Sequence, residues 1–241
     1  MTRILVTRPW EDAEPLAARL GSMGHKVIIE PLLEIVYFDD SLPSLDGIKA
    51  LLFTSANGVR AFERVSTNRT LSVFAVGAAT AAAASSAGFA RVSDAGGDVE
   101  ALAGLVTAEC VPADGPLLHI AASERAGDLS ARLTATGFTL LRQVLYRAQP
   151  AAALSEATRD ALTCGYIDAV VLFSPRTAQT LVGLLADDGL SDVCCGIVVV
   201  CLSTAVADAA SRSPDGAPLR WRAVRVAARP ELEALLAAVG E

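Results

Sequence analysis

Two stretches of the chain end an apolar run in hydroxyl and small residues and turn at once into a helical pattern. They are "LLFTSANGVRAF" (51–62) and "VVLFSPRTAQTL" (170–181). "VGAATA" (76–81) and "LSTAVA" (202–207) repeat the layout, and "VTRPWEDAEPL" sets Arg8 and Pro9 ahead of Glu11 and Asp12. Such a junction offers hydroxyls, little side-chain bulk and unpaired backbone N–H groups at the positive end of a helix dipole. These groups suit carboxylates or phosphates. Singly, Ser55, Ser174 and Ser203 read as N-caps, and Pro175 has the look of a first helical residue. Repetition in four loops argues for a shared anion site, with Arg8, Arg125, Arg147 and Arg176 at or near its walls.

Other chemistry is sparsely supplied. No G-x-S-x-G elbow, P-loop or H-E-x-x-H occurs, and "GAAT" has one glycine where a dinucleotide fingerprint needs three. His119 ends an apolar strand and reads as a structural histidine, while His25 reads as a solvated turn residue. With two histidines, five cysteines and no C-x-x-C pair, no metal site is expected. Tyr146, on an apolar β-like run, is the residue whose phenol could serve the site or simply pack.

The net charge of −7 argues against a nucleic-acid partner, and an anion would have to be held by local donors against the overall field. No apolar run of membrane-spanning length occurs, and "MTRILVTRPW" reads as a strand rather than a signal peptide. A cytoplasmic monomer without membrane association is expected.

The elements that must position these residues alternate between strand and helix. Strands are expected at 3–7, 26–31, 49–54, 72–76, 90–93, 116–121, 139–146, 168–173, 197–201 and 222–227, which predicts parallel sheets with helices on both faces. The pattern repeats internally. Residues 4–28 align with 117–141 without a gap, matching Leu5 to Leu118, Glu11 to Glu124, Leu16 to Leu129, Arg19 to Arg132, Leu20 to Leu133 and Gly24 to Gly137. The two Ser-bearing stretches align on Ser55 and Ser174, and "RVSDAGGDVEAL" (91–102) aligns with "RVAARPELEAL" (225–235) less one residue. The middle of the chain therefore carries four units in order, whereas the second copy has its last unit at the N-terminus. This permutation predicts two similar flavodoxin-like parallel-sheet lobes, 1–35 with 147–241, and 36–146. The crossings near 32–38 and 140–148 are expected to pair as a two-stranded antiparallel β hinge. Facing lobes would gather the Ser- and Thr-bearing loops into one cleft.

The ordered set "ILVTRP…LAARL…G", "LLFTSANGVRAF", "VFAVGAATAAA…AGF", "DVEALAGLV", "LYRA", "VVLFSPRTA" and "LEALLAAV" resembles uroporphyrinogen-III synthase over essentially the whole chain. The resemblance implies a cofactor-free, cyclising hydro-lyase of tetrapyrrole (haem) biosynthesis. Its substrate would be hydroxymethylbilane, a linear tetrapyrrole with many carboxylates, closed with loss of water and inversion of the last pyrrole. It also implies Tyr146 as the residue assisting departure of the hydroxyl. The resemblance carries Thr54, Ser55, Thr80 and Ser174 over as substrate contacts, and the reading of the strand-end loops adds Arg8, Ala56, Arg147, Pro175, Arg176 and Ser203. In "LSTAVA", Ser203 and Val206 stand where the family pattern has a glycine and a threonine, so that threonine's role does not carry over. Two alternatives share parts of the layout: a two-lobed binding protein for a small polycarboxylate, and a nucleotide-dependent dehydrogenase or regulator.

Overall fold

The computed structural model describes residues 1–39, 42–124 and 128–240. The chain opens with β1 (Arg3–Val6), α1 (Trp10–Ser22) and β2 (Lys26–Ile29). There follow β3 (Leu33–Tyr37), β4 (Ala50–Phe53), α2 (Ala56–Val65), β5 (Ser72–Ala75), α3 (Ala78–Ser86), β6 (Val92–Asp94), α4 (Val99–Glu109), β7 (Leu117–Ala122), α5 (Leu129–Ala135) and β8 (Leu140–Pro150). The last third holds α6 (Glu156–Thr163), β9 (Ala169–Leu172), α7 (Pro175–Asp187), β10 (Val198–Cys201), α8 (Thr204–Ala210), β11 (Ala223–Val226) and α9 (Leu232–Gly240). The chain forms two compact units, Met1–Glu34 with Gln149–Glu241, and Ile35–Ala148.

The first unit carries a five-stranded sheet in the order β11-β10-β9-β1-β2, parallel throughout. Numbered along that unit, the order is 2-1-3-4-5, the flavodoxin-like arrangement. β1 lies against β9 (Ile4 opposite Ala169, Val6 opposite Val171), the pairing that the permuted repeat requires. Strands covered on both faces are continuous apolar runs, and alternate residues enter opposite cores. Leu5, Val170, Leu172 and Val199 pack with α7 and α8, while Ile4, Val6, Val171 and Val200 pack with α1 and α9.

The second unit has the order β3-β8-β7-β4-β5-β6. Without β3 this is the same spatial order as in the first unit, with β7 and β8 in the places of β1 and β2. Leu51 and Phe53 face α2 and α3, and Ala50 and Leu52 face α4 and α5. The repeat extends to backbone detail. Gly24 and Gly137 close α1 and α5 at φ 87° and 88°, and His25 N–H and Phe138 N–H reach back to Leu20 O and Leu133 O at 3.1 and 3.0 Å. Both are the left-handed closure that glycine alone adopts without cost.

The chain passes between the units in β3 and at the end of β8. Phe38 N–H donates to Leu145 O (2.8 Å) and Ala151 N–H to Leu32 O (3.0 Å), a reversed order that makes this pair antiparallel. The ladder is not freestanding, because β8 also pairs in parallel with β7 and so continues the second sheet. Among the described residues no helix is long and apolar enough to cross a membrane.

Candidate functional site

In a parallel sheet of this order, the chain leaves in opposite directions from two neighbouring central strands, opening a crevice at their carboxyl ends. That point lies between β4 and β7 in the second unit and between β1 and β9 in the first.

In the second unit the crevice is a cavity of about 520 Å³. Its walls include Thr54 and Ser55 after β4, Val76 after β5, Gly97 and Asp98 before α4, His119 and Ala122 of β7, Glu124, Asp128 before α5, and Arg142 and Tyr146 of β8. Hollows of similar volume, one beside Asp187, Cys195 and Asp215 and another along α4 and α5, lie away from the strand ends.

Tyr146 reaches this cavity through an irregularity in β8. The β7–β8 register runs evenly from Leu117 opposite Leu140 to Ala121 opposite Val144, and then Ala122 meets Tyr146 instead of Leu145. Leu145 is the extra residue of a bulge, a device that re-aims a side chain. Leu145 and Tyr146 are thus successive and both buried, at 0% and 4% exposure. Burial pushes the phenol's pKa upward, a hydrogen bond with the Ser55 side chain works against that, and the Glu124 carboxylate adds to it. The phenol stays protonated at neutral pH, the form able to donate.

Ser55 also caps α2, accepting from Asn57 N–H at 3.2 Å. The bland reading of this serine therefore holds alongside its contact with Tyr146. Thr54, one residue earlier, lies 3.2 Å (Oγ1) from His119 Nε2. Burial, with a smaller contribution from the Arg142 guanidinium, pulls the His119 pKa down to about 4. This imidazole is neutral at physiological pH. Ala56 is the first residue of α2, where the backbone N–H has no intrahelical acceptor.

The first unit builds a related end. Thr7 is buried and donates to Val171 O at 3.0 Å. The Arg8 guanidinium lies 4.6 Å from the Phe173 ring centre and pairs with Asp12 at 2.8 Å. Ser174 caps α7, accepting from Thr177 N–H at 3.1 Å and meeting its hydroxyl at 2.8 Å, with Pro175 and Arg176 as the next two residues. Ser203 holds the N-cap position of α8 without a side-chain capping bond, and Val206 is buried at 1%.

Thus Thr54, Ser55 and Tyr146 meet in one cavity, and Arg8 stands beside the Phe173–Ser174 end. Thr80 is buried one turn into α3 (5% exposed), and Arg147 is exposed on β8. Neither lines the cavity of the second unit. Arg125 lies outside the described residues. Sequence reasoning did not find Asp98, Glu124, Asp128 and Arg142 as cavity walls, nor His119 as more than structural. The two aspartates did carry a signal, since each immediately precedes a helical pattern. Asp98 accepts from Glu100 and Ala101 N–H at 2.9 and 3.0 Å, and Asp128 from Ala131 N–H at 3.0 Å.

Residues 14–237 match the family model described as uroporphyrinogen-III synthase HemD. The chain belongs to the uroporphyrinogen-III synthase family. A crystal structure of uroporphyrinogen-III synthetase from Helicobacter pylori aligns over 99% of this chain and 98% of its own, with a TM-score of 0.63 at 17% identity. A mutant uroporphyrinogen III synthase from the extremely thermophilic bacterium Thermus thermophilus aligns over 100% and 96%, with a TM-score of 0.52 at 18% identity. At such identities the likeness concerns the fold. A curated Methanocaldococcus jannaschii protein named for uroporphyrinogen-III synthase is 42% identical over 57 residues, a segment spanning 24% of this chain and 24% of that relative. Nothing among these relatives favours the binding-protein or dehydrogenase alternatives.

Proposed function

We propose that this member of the family is a uroporphyrinogen-III synthase, closing hydroxymethylbilane to uroporphyrinogen III with loss of water and inversion of the last pyrrole. The observation that carries the reading is the family match across residues 14–237, and the Tyr146 cavity supplies a chemistry for it. Tyr146 donates its phenolic proton to the departing hydroxyl oxygen as the C–O bond breaks and the electron pair leaves with oxygen. The proton released when the new ring regains aromaticity restores the phenol, so one water is lost overall. The hydroxyls of Thr54, Ser55, Ser174 and Ser203, the N–H groups at Ala56 and at Arg176 just after Pro175, and the Arg8 and Arg147 guanidinium groups are the proposed substrate holders. Thr80 supports them from within α3. Cytoplasmic action by a monomer, without a cofactor, is part of the same proposal.

The test uses the competition between the enzymic and spontaneous reactions. Hydroxymethylbilane closes unaided to the symmetrical type I ring. The bilane is generated in situ, the protein is added, and the oxidised products are separated as isomers. The wild-type protein should divert the flux to type III. Tyr146→Phe should slow the reaction by roughly 10²-fold, the scale of general-acid assistance, with type III still dominant. Ser55→Trp, which fills the cavity, should return the products to type I. An unchanged type I fraction with wild-type protein overturns the reading.

A further inference from the structure

We propose that His119 is a positioning residue of this cavity: its Nε2–H donates to Thr54 Oγ1, so the threonine's own hydroxyl proton is left to donate into the cavity. The inference rests on the proposed synthase reading and adds a residue and a tautomer to it.

His119 is the third residue of β7. Leu117, Leu118 and Ile120 around His119 are fully buried and apolar. A polar group taken into such a strand is costly unless it is hydrogen-bonded. His119 lies opposite Leu52, two residues before Thr54. Side chains alternate along a strand, so His119 and Thr54 share the sheet face that carries α4 and α5, and their 3.2 Å contact closes across β4 and β7. Both residues line the cavity, whereas a merely structural pair could have been buried anywhere along the two strands.

Thr54 is followed by Ser55, whose side chain hydrogen-bonds Tyr146. Two consecutive hydroxyls at the end of β4 are therefore tethered to two further strands, Thr54 to β7 and Ser55 to β8. Loss of the first tether frees the turn that carries the second. A charged imidazole would have no acceptor role and would add a cation beside Arg142. The half-buried, neutral ring can instead fix one tautomer, and Nε2–H is the one that leaves Thr54 able to donate.

Three measurements on the full-length protein test this. Nitrogen-15 NMR of wild-type protein labelled at histidine should show a neutral His119 in the Nε2–H form. A ring protonated at Nδ1 alone overturns the proposal. In the isomer assay, His119→Leu should lower kcat about tenfold with KM within about twofold, the loss expected for one hydrogen bond used in the reacting complex. His119→Gln, which retains an N–H donor, should recover most of that loss. In a double-mutant cycle, Thr54→Val with His119→Leu should be no slower than Thr54→Val alone, because His119 acts through the Thr54 hydroxyl. Fully additive losses, or His119→Leu with reduced thermal stability but unchanged kcat, overturn the positioning role while leaving the synthase reading intact. Should His119→Leu fail to fold, the tautomer and the Thr54→Val and His119→Gln kinetics decide alone. A wild-type protein that does not enrich type III overturns both.

Discussion

Each residue in the cavity is set by its surroundings more than by its type. Tyr146 is a weak acid held protonated by burial and by Glu124, so the proton it would give away is present across the neutral range. His119 is held neutral by the same burial, and this has a consequence for stability. Its pKa falls from 6.5 to about 4 on folding, so between those values the unfolded chain binds the extra proton and the folded chain does not. Stability then rises with pH across the window. The contribution is complete above about pH 6.5 and is lost as pH falls toward 4, amounting to roughly 3 kcal/mol at about 1.4 kcal/mol per unit. Urea unfolding of wild-type protein and His119→Gln at pH 4.5, 5.5 and 7 measures it. The wild type should gain stability over His119→Gln as pH rises, and a constant difference would show that His119 titrates normally.

At the scale of elements, the site depends on close contacts between a helix start, a strand end and a bulge. Gly58 lies in the first turn of α2, where a Cβ would stand 3.1 Å from Ile120 O, 3.3 Å from the Phe53 ring and 3.8 Å from Tyr146 Cε1. Gly58→Ala should therefore push α2 away from β7, costing about 1–3 kcal/mol from overpacking. The better helix propensity of alanine offsets up to about 1 kcal/mol of that. The expected result is a lower thermal midpoint and slower type III formation, since Ser55 and Tyr146 are displaced with the helix. A gain in stability with unchanged rate would mean that the contact relaxes freely. Elements of this kind were unequally legible in the sequence. The strands announced themselves as short apolar runs such as "LLF", "VVL" and "IVVV", and Ser55 and Ser174 as caps, because both signals are local. The bulge at Leu145 left no mark in "LLRQVLY", since one shifted residue looks like ordinary variation in alternation. Nor was it legible that Glu30, buried after β2, takes hydrogen bonds from Ser155 N–H, Ser155 Oγ and Thr158 Oγ1 at 2.8, 2.6 and 2.6 Å. Such a bond joins residues remote in sequence and has no periodicity to betray it.

For the whole molecule, duplication with permutation makes one unit continuous and leaves the other dependent on the N-terminal segment. The order β2-β1-β9-β10-β11 repeats as β8-β7-β4-β5-β6, and the aligned glycines and caps show that the repeat reaches the backbone. The sequence carried this order because Leu, Arg and Gly positions recur at fixed spacing. The composition of the cavity wall was not carried, because its residues come from five separate loops and strand ends. The permutation makes an asymmetric prediction. Residues 35–148 hold two apolar clusters of their own, on the two faces of one sheet. Expressed alone, this segment should unfold cooperatively. Residues 149–241 lack β1, an interior strand of their sheet, and with it the buried side chains of Ile4, Leu5 and Val6. They also lose the bidentate Arg3–Asp168 pair, at 2.6 and 2.9 Å, which holds the start of β1 beside β9. Each lost aliphatic side chain removes about 1.5–3 kcal/mol of burial, against a total domain stability of about 5–15 kcal/mol. The fragment 149–241 should therefore show no cooperative melt by circular dichroism. Adding a peptide of residues 1–34 should restore one, with an Arg3→Ala version of the peptide binding more weakly. Cooperative folding of 149–241 alone would mean that β1 is an accessory to that sheet rather than part of its core.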